Sequence, residues 1–254
     1  MLLRSLFIIV CLLASAVAGA QVASTLRVGM SPDYPPLQYY EDGLIVGIEA
    51  DNAPAVSGIL GRRVQLVPMA FDQLLPALER GEVDVLMSGL SVTAVRSARV
   101  AFTDAYLRVG QMAIIHRDRI ARFAQPWAIY REGVRVGVIP ESTAAAFAAR
   151  KLPEAAVSFY DNVQQSFAAL REDRIDLFLH DATTSWQLAN DDANQDLIST
   201  YAPLTEEMLA WAVRRDDSTL RENLNRALAL MRANGTLAYI LDRWIPVQVE
   251  VHSQ

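Results

Sequence analysis

The sequence has almost no cysteine. Its single thiol, Cys11, falls within the first twenty residues of a 254-residue chain. A processed form starting beyond them has no disulfide, no thiolate nucleophile and no cysteine-metal site. Histidine is nearly as scarce, and His116, His180 and His252 are too scattered to suggest a metal site. Basic runs are missing as well. Lys+Arg number 23 against 29 Asp+Glu, and Lys151 is the one lysine. Residues 1–20 hold one cation, Arg4, and no acid, which leaves 22 − 29 = −7 for the remainder. A modestly acidic chain without a basic stripe argues against nucleic acid or an anionic membrane as partner. Low-complexity tracts are absent too, and no Ser/His/Asp constellation or cofactor motif is visible.

What is there begins with "MLLRSLFIIVCLLASAVAGA": one positive charge, an apolar run from Leu6 to Leu13, then Ala18, Gly19 and Ala20. This pattern predicts a secretory signal cut before Gln21. The apolar run is too short for a membrane span of about 20 residues. Lipid attachment at Cys11 is disfavoured, because Val10 is not small and the cut would consume half the run. An exported chain without disulfides is held by its core alone.

Beyond residue 20 the pattern alternates. "TLRVGM" (25–30), "RVQLVPM" (63–69) and "VDVLMSG" (83–89) read as strands, separated by helices over 48–60, ended by Gly61, and over 72–80, with Asp72 as N-cap and Gly81 as stop. This is a parallel, doubly wound unit. A second unit follows: strands at 111–117, 135–140, 156–160 and 175–181, with helices at 141–152 and 162–174. The units share a cadence, "ERGEVDVLMSG" against "REDRIDLFLHD". Residues 117–133 are the most linker-like. "EMLAWAVRRD" (207–216) reads as one further strand. Leu220, Leu224, Leu228 and Met231 then predict a helix capped by Asp217 or Ser218, and a last helix covers 236–244.

In open α/β sheets ligands bind beyond the carboxyl ends of the strands, and three of those ends are polar here. Ser88-Gly89-Leu90-Ser91 offers backbone groups and hydroxyls, with the guanidinium of Arg96 just beyond. Glu141-Ser142-Thr143 stands at a helix N-terminus, where free N–H groups attract an anion. His180-Asp181 offers a carboxylate, which wants a cation. Taken singly each has a plainer use: Arg96 in a surface ion pair, Ser142 and Thr143 as helix caps, His180, Tyr34 and Phe71 as packed rings. Together an anion holder and a cation holder suit a zwitterion.

Residues 25–245 resemble the bacterial periplasmic solute-binding proteins of the polar-amino-acid type, extracellular solute-binding family 3, the receptors of ABC importers. The resemblance is carried by "LRVGMSPDYPPLQYY", "VPMAFDQLLPALERGEVDVLMSGLSVTAVRSARVAFTDAYLRVGQ", "VGVIPEST", "IDLFLHD" and "LNRALALMRANGTLAYILDRWI". It implies an α/β, type II periplasmic-binding fold: two doubly wound lobes joined by two crossing strands. Lobe one is expected at 25–112 plus 208–254 and lobe two at 113–207. It implies that Arg96 grips an α-carboxylate bidentately, helped by N–H groups at Ser91 and Thr143. Asp181, the Gly89 carbonyl and the Ser91 hydroxyl are expected to take the ammonium, with Tyr34 and Phe71 as apolar walls. Ser88, Ser142 and His180 complete the candidate set. A monomer in the periplasm, handing an amino acid to a membrane permease with no cofactor, is the expectation that follows.

Departures bear on that expectation. Glu141 stands where the family has a glycine, and is expected to aim at solvent. Ser31 stands where relatives binding basic or amide side chains have an aspartate, which weighs against a lysine- or arginine-type ligand. The change to "GIEADNAP" (47–54) falls in the first helix, not the cleft. His180 before Asp181 also occurs in glutamine-binding relatives. Two other functions share the scaffold: a cyclohexadienyl or arogenate dehydratase, for which Glu141, Glu206 or Glu207 is the candidate acid, and a sensory module presenting ligand to a membrane receptor.

Overall fold

The computed structural model describes residues 24–188, 191–200 and 202–245. The expected signal segment, Cys11 and His252 lie outside them. The chain opens with β1 (Thr25–Met30), the small hairpin strands β2 (Asp33–Tyr34), β3 (Gln38–Glu41) and β4 (Leu44–Val46), helix α1 (Ile48–Ile59) and β5 (Arg63–Pro68). It continues through α2 (Leu74–Glu79), β6 (Val85–Leu86), the one-turn α3 (Ala94–Ser97), β7 (Val100–Phe102) and β8 (Leu107–Val109). It then passes into β9 (Gln111–His116), β10 (Arg135–Val138), α4 (Thr143–Lys151), β11 (Ala156–Phe159), α5 (Val163–Arg171), β12 (Leu177–Asp181), α6 (Ala182–Leu188) and β13 (Leu197–Ser199). It returns by β14 (Glu207–Leu209) to β15 (Ala212–Arg214), α7 (Ser218–Ala233) and α8 (Thr236–Trp244).

Two five-stranded sheets result, ordered β5-β1-β6-β15-β7 and β11-β10-β12-β9-β13. In each, four strands run one way and one, β15 in the first sheet and β9 in the second, runs against them. The first unit, β1, β5 and β6, is parallel as expected, whereas the second, read with the strand at 111–117 in it, is mixed for a topological reason. β8 and β14 form a two-stranded antiparallel ribbon, which feeds β9 into the second sheet and β15 into the first. Each strand entering from the other lobe runs against the sheet it joins. Separate hydrophobic clusters back the sheets: Leu26, Val28, Trp211 and Leu224 in the first, Val136, Phe147, Leu177 and Leu179 in the second.

The shared cadence is a repeated device. α2 ends with Gly81 at φ 71, the Gly81 N–H bonded to Leu78 O and the Glu82 N–H to Ala77 O. α5 ends with the same pair of bonds, but Asp173 takes the left-handed position at φ 55. Three residues after each turn comes an aspartate. Asp84 accepts from the backbone N–H of Arg27 at 2.8 Å and from its guanidinium at 2.7 Å; Asp176 accepts from Arg135 at 2.9 and 2.8 Å. β1 is thereby pinned to the segment leading into β6, and β10 to the segment leading into β12, the strands that run to the cleft.

Several local expectations change. Asp72 does not cap α2: residues 71–73 form a 3-10 turn and the helix begins at Leu74. The strand over 83–89 pairs only at Val85–Leu86, because Ser88 and Gly89 bend away to build the cleft. Residues 117–133 are no linker: Phe123, Ala128 and Ile129 are buried in the second lobe's core. Residues 207–216 split into β14 and β15, since the Ala210 N–H turns to Leu90 O and the Trp211 carbonyl to the Thr103 N–H. Asp217 caps α7 as expected, accepting from the Leu220 N–H at 2.9 Å.

Candidate functional site

The strand ends of the two sheets face one another across a cleft. The partly open cavity there is about 50 Å³, room for a handful of waters. Arg96, Asp181, Ser91, Gly89, Thr143, Ser142, Tyr34, Phe71 and His180 all line it. Ser88 does not. Its hydroxyl is buried below the floor, accepting from the Ser31 N–H at 3.0 Å and from Gln38 Nε2 at 3.1 Å, so it braces the turn.

Arg96 comes from α3, whose single turn is fixed by Thr93 Oγ1 accepting the Arg96 N–H at 3.2 Å. Arg96 is 8% exposed, and its guanidinium stands 5.7 Å from the Phe71 ring centre. It donates to Ser91 O at 3.1 Å and, across the cleft, to Glu141 O at 3.0 Å. Burial pulls its pKa down, and the charges of Asp181, Glu207 and Glu141 oppose that pull. Glu141 is exposed and sits at φ 60. That left-handed backbone accounts for glycine at this place in the family pattern, and an L-residue there carries strain on the order of 1–3 kcal/mol. Its carbonyl, not its carboxylate, reaches Arg96. Ser142 caps α4, accepting from the Ala145 N–H at 3.1 Å.

Asp181 ends β12. Tyr34 Oη from the first lobe and Gln111 Nε2 both donate to its carboxylate. It is 8% exposed, and burial, reinforced by the charge of Glu207, pushes its pKa up to about 7 against the lowering effect of those bonds and of Arg96. Burial, then Asp181, drive the Tyr34 phenol well above 10. His180 accepts or donates at 2.9 Å with Thr184 Oγ1, and its ring meets Tyr34 edge-on at 4.7 Å. Burial pushes its pKa down to about 3, so the imidazole is neutral. Thr183 and Thr184 add bonds to Tyr34 Oη at 3.1 Å and Pro35 O at 3.3 Å, so the lobes touch at several points.

Gly89 is needed where it stands. At φ 62 a Cβ would lie 2.4 Å from Leu37 Cδ1 and 2.9 Å from Tyr34 Cε1. Behind it Glu49, fully buried on α1, accepts from Tyr106 Oη at 2.7 Å, Trp211 Nε1 at 3.0 Å, Asn52 at 3.2 Å and the Gly89 N–H at 3.4 Å. Burial raises its pKa against the lowering effect of these donors. The altered first helix thus does touch the site, from beneath.

Sequence reasoning missed six lining residues, the apolar Ala144 and Val163 among them. Gln111 opens β9, opposite Asp181 in register; its Oε1 is buried without a partner among the described residues. A polar residue heading an apolar strand is the signal that could have found it. Asp33 lines the cavity with Ser31 Oγ donating to it at 2.9 Å, and burial raises its pKa against that bond. A carboxylate thus enters the cavity lining two residues beyond Ser31. Asp161 lies exposed at the mouth, and Ile139 adds an apolar wall. Among the described residues no cluster fit to hold a metal ion occurs.

The profile of the bacterial extracellular solute-binding proteins, family 3, matches residues 26–247. ABC transporter arginine-binding protein 1 of Escherichia coli K12 is 31% identical over 245 residues, 94% of this chain and 98% of that protein. The crystal structure of an ancestral amino acid-binding protein, a precursor of cyclohexadienyl dehydratase, superposes with a TM-score of 0.82 at 28% identity, covering 87% of this chain and 96% of its own. An ancestral arginine-binding protein bound to arginine gives 0.80 at 29% identity, covering 88% and 99%. With a paired-sheet fold and a match spanning nearly the whole chain, the protein belongs to family 3 of the bacterial extracellular solute-binding proteins.

Proposed function

We propose that this protein is a periplasmic receptor that closes two lobes on an amino acid and hands it to the membrane permease of an ABC importer, acting as a monomer without cofactor. The lobes divide at the β8–β14 ribbon, on which they hinge: the first holds 25–109 plus the described residues from 210 to 245, and the second runs from β9, two residues earlier than the 113 expected, to the start of β14. One observation carries the reading: Arg96 of lobe one and Asp181 of lobe two line one cavity. A zwitterion gives its carboxylate to the guanidinium, helped by N–H groups at Ser91 and Thr143. Its ammonium goes to Asp181, the free Gln111 Oε1, the Ser91 hydroxyl and the Gly89 carbonyl. Tyr34 and Phe71 flank its side chain. The cavity walls come from both lobes, so entry is by their opening, and a ligand touching both lobes favours the closed state by its differential affinity.

The side chain is cationic, with arginine the first candidate. Three carboxylates line the cavity, Asp33, Asp161 and Asp181, against the one guanidinium. That excess favours a ligand of net positive charge. The arginine-binding relative and the arginine-bound neighbour point the same way. A thermal-shift screen over the common amino acids tests the reading. L-arginine at a hundred times its dissociation constant is expected to add about 2.7 kcal/mol of stability. No shift with any amino acid overturns it.

A dehydratase is the second reading, favoured by an acid in the cavity that titrates near 7 and by the ancestral neighbour's lineage. The acids expected for it are engaged elsewhere. Glu141 is exposed, Glu206 pairs with Arg108 at 2.7 Å on the surface, and Glu207 accepts three hydroxyl protons. Turnover of prephenate or arogenate by the pure protein would establish it.

A further inference from the structure

Glu207 starts β14, on the ribbon between the lobes, and does not line the cavity itself. It stands directly behind two residues that do. Its Oε2 accepts from Ser91 Oγ at 2.6 Å and from Thr143 Oγ1 at 2.7 Å; its Oε1 accepts from Thr205 Oγ1 at 2.8 Å. Ser91 is held to the first lobe and to β14 by its bridge to Leu209, and Thr143 begins α4 of the second. One carboxylate on the hinge therefore collects a hydroxyl from each jaw.

A hydroxyl has one proton to give and two lone pairs to offer. With both protons committed to Glu207, Ser91 Oγ and Thr143 Oγ1 can only accept from anything in the cavity. Thr143 Oγ1 already accepts from Gln111 Nε2 at 3.0 Å, and that same amide donates to Asp181. Hydrogen bonds thus run without a break from Ser91 through Glu207, Thr143 and Gln111 to Asp181 and Tyr34. The protons in this chain point away from the cavity at both hydroxyls. A ligand carboxylate is left with Arg96 and backbone N–H groups, and a ligand N–H finds acceptors.

We propose that Glu207 is a specificity-determining positioning residue: it fixes the Ser91 and Thr143 hydroxyls as acceptors and adds negative charge behind them, so that the site prefers cationic amino acids and rejects acidic ones. The inference rests on the binding function proposed above and names what enforces its charge selection. Its field already reaches the cavity groups, raising Asp181 and opposing the fall of Arg96. Asp33, Asp161 and Asp181 add to the same sign, and Arg96 is the counter-charge.

The test is calorimetric titration of wild type and Glu207→Gln with L-arginine, L-glutamine and L-glutamate, with the melting curve of each protein as a fold control. Wild type is expected to bind L-arginine tightest and L-glutamate weakest. In Glu207→Gln the arginine-over-glutamate preference narrows by about tenfold or more, as loss of one nearby charge requires, and Glu207→Asp restores it. A merely structural role would weaken all three ligands together. If Glu207→Gln does not fold, Glu207→Ala is titrated in its place. A folded variant whose preference stays within about twofold of wild type overturns the role of Glu207 and leaves the receptor reading standing. A wild-type protein that binds none of the three overturns that reading and this inference with it.

Discussion

Asp181 sets a pH dependence that can be worked out from the site. Its carboxyl titrates near 7 in the folded protein instead of at 3.8, because it is buried beside Glu207. That displacement corresponds to about 4 kcal/mol at 1.36 kcal/mol per pH unit, an upper bound for a buried acid of this kind. Between pH 4 and 7 the folded protein keeps a proton that the unfolded chain has released. Stability without ligand therefore falls as pH rises through that window, and the cost is fully present above 7. An ammonium placed against Asp181 offsets the cost. Binding near pH 6 must then release about one proton, while binding near pH 8 releases almost none, and affinity weakens up to about tenfold per pH unit below 7. Calorimetry with L-arginine in buffers of differing ionisation enthalpy measures both quantities. Asp181→Asn should lose the ligand yet unfold at higher temperature than wild type at pH 8. Flat affinity from pH 5 to 8 with no proton release, together with an unstabilised Asp181→Asn, would refute the assignment of Asp181 as the buried ammonium holder.

Arg96→Ala should weaken L-arginine binding by several kcal/mol, about 3–5, since it leaves a carboxylate in the cleft without its partner; titration by fluorescence or calorimetry reads the loss, and the melting temperature should move little. Glu49→Ala should act oppositely, on stability first. It strands Tyr106 Oη and Trp211 Nε1 in the core, at about 1–3 kcal/mol for each unsatisfied group, and chemical denaturation of wild type and variant measures the difference.

The residues legible in the sequence were those whose chemistry matches their place on the chain. Arg96 lies beyond one strand end, Asp181 closes another, and Ser142 and Thr143 open a helix, so local pattern marked an anion holder and a cation holder, and the family resemblance set them face to face in one cleft. Ser88 failed the same test because a strand end has two sides. Its hydroxyl faces Ser31 and Gln38 below the floor, which only the bend at Gly89 decides. Asp33 and Gln111 lie in a short hairpin strand and at the start of a hinge-fed strand, where the direction of a side chain depends on how the lobes meet. Glu49 and Glu207 act through groups 40 and 116 residues away, Gly89 and Ser91, and spacing along the chain carries no trace of that. The mixed sheets have the same origin: strands 9 and 15 reverse because the chain crosses between lobes.

The central claim is that one guest is held at both ends by opposite lobes. Its most direct test is a calorimetric titration of wild-type protein with L-arginine, with the same molecule lacking its α-carboxylate, and with the same molecule lacking its α-ammonium. The account predicts that each truncated ligand binds weaker by roughly 100-fold or more, since each leaves Arg96 or Asp181 buried and unanswered. Either truncated ligand binding as tightly as L-arginine itself would contradict it.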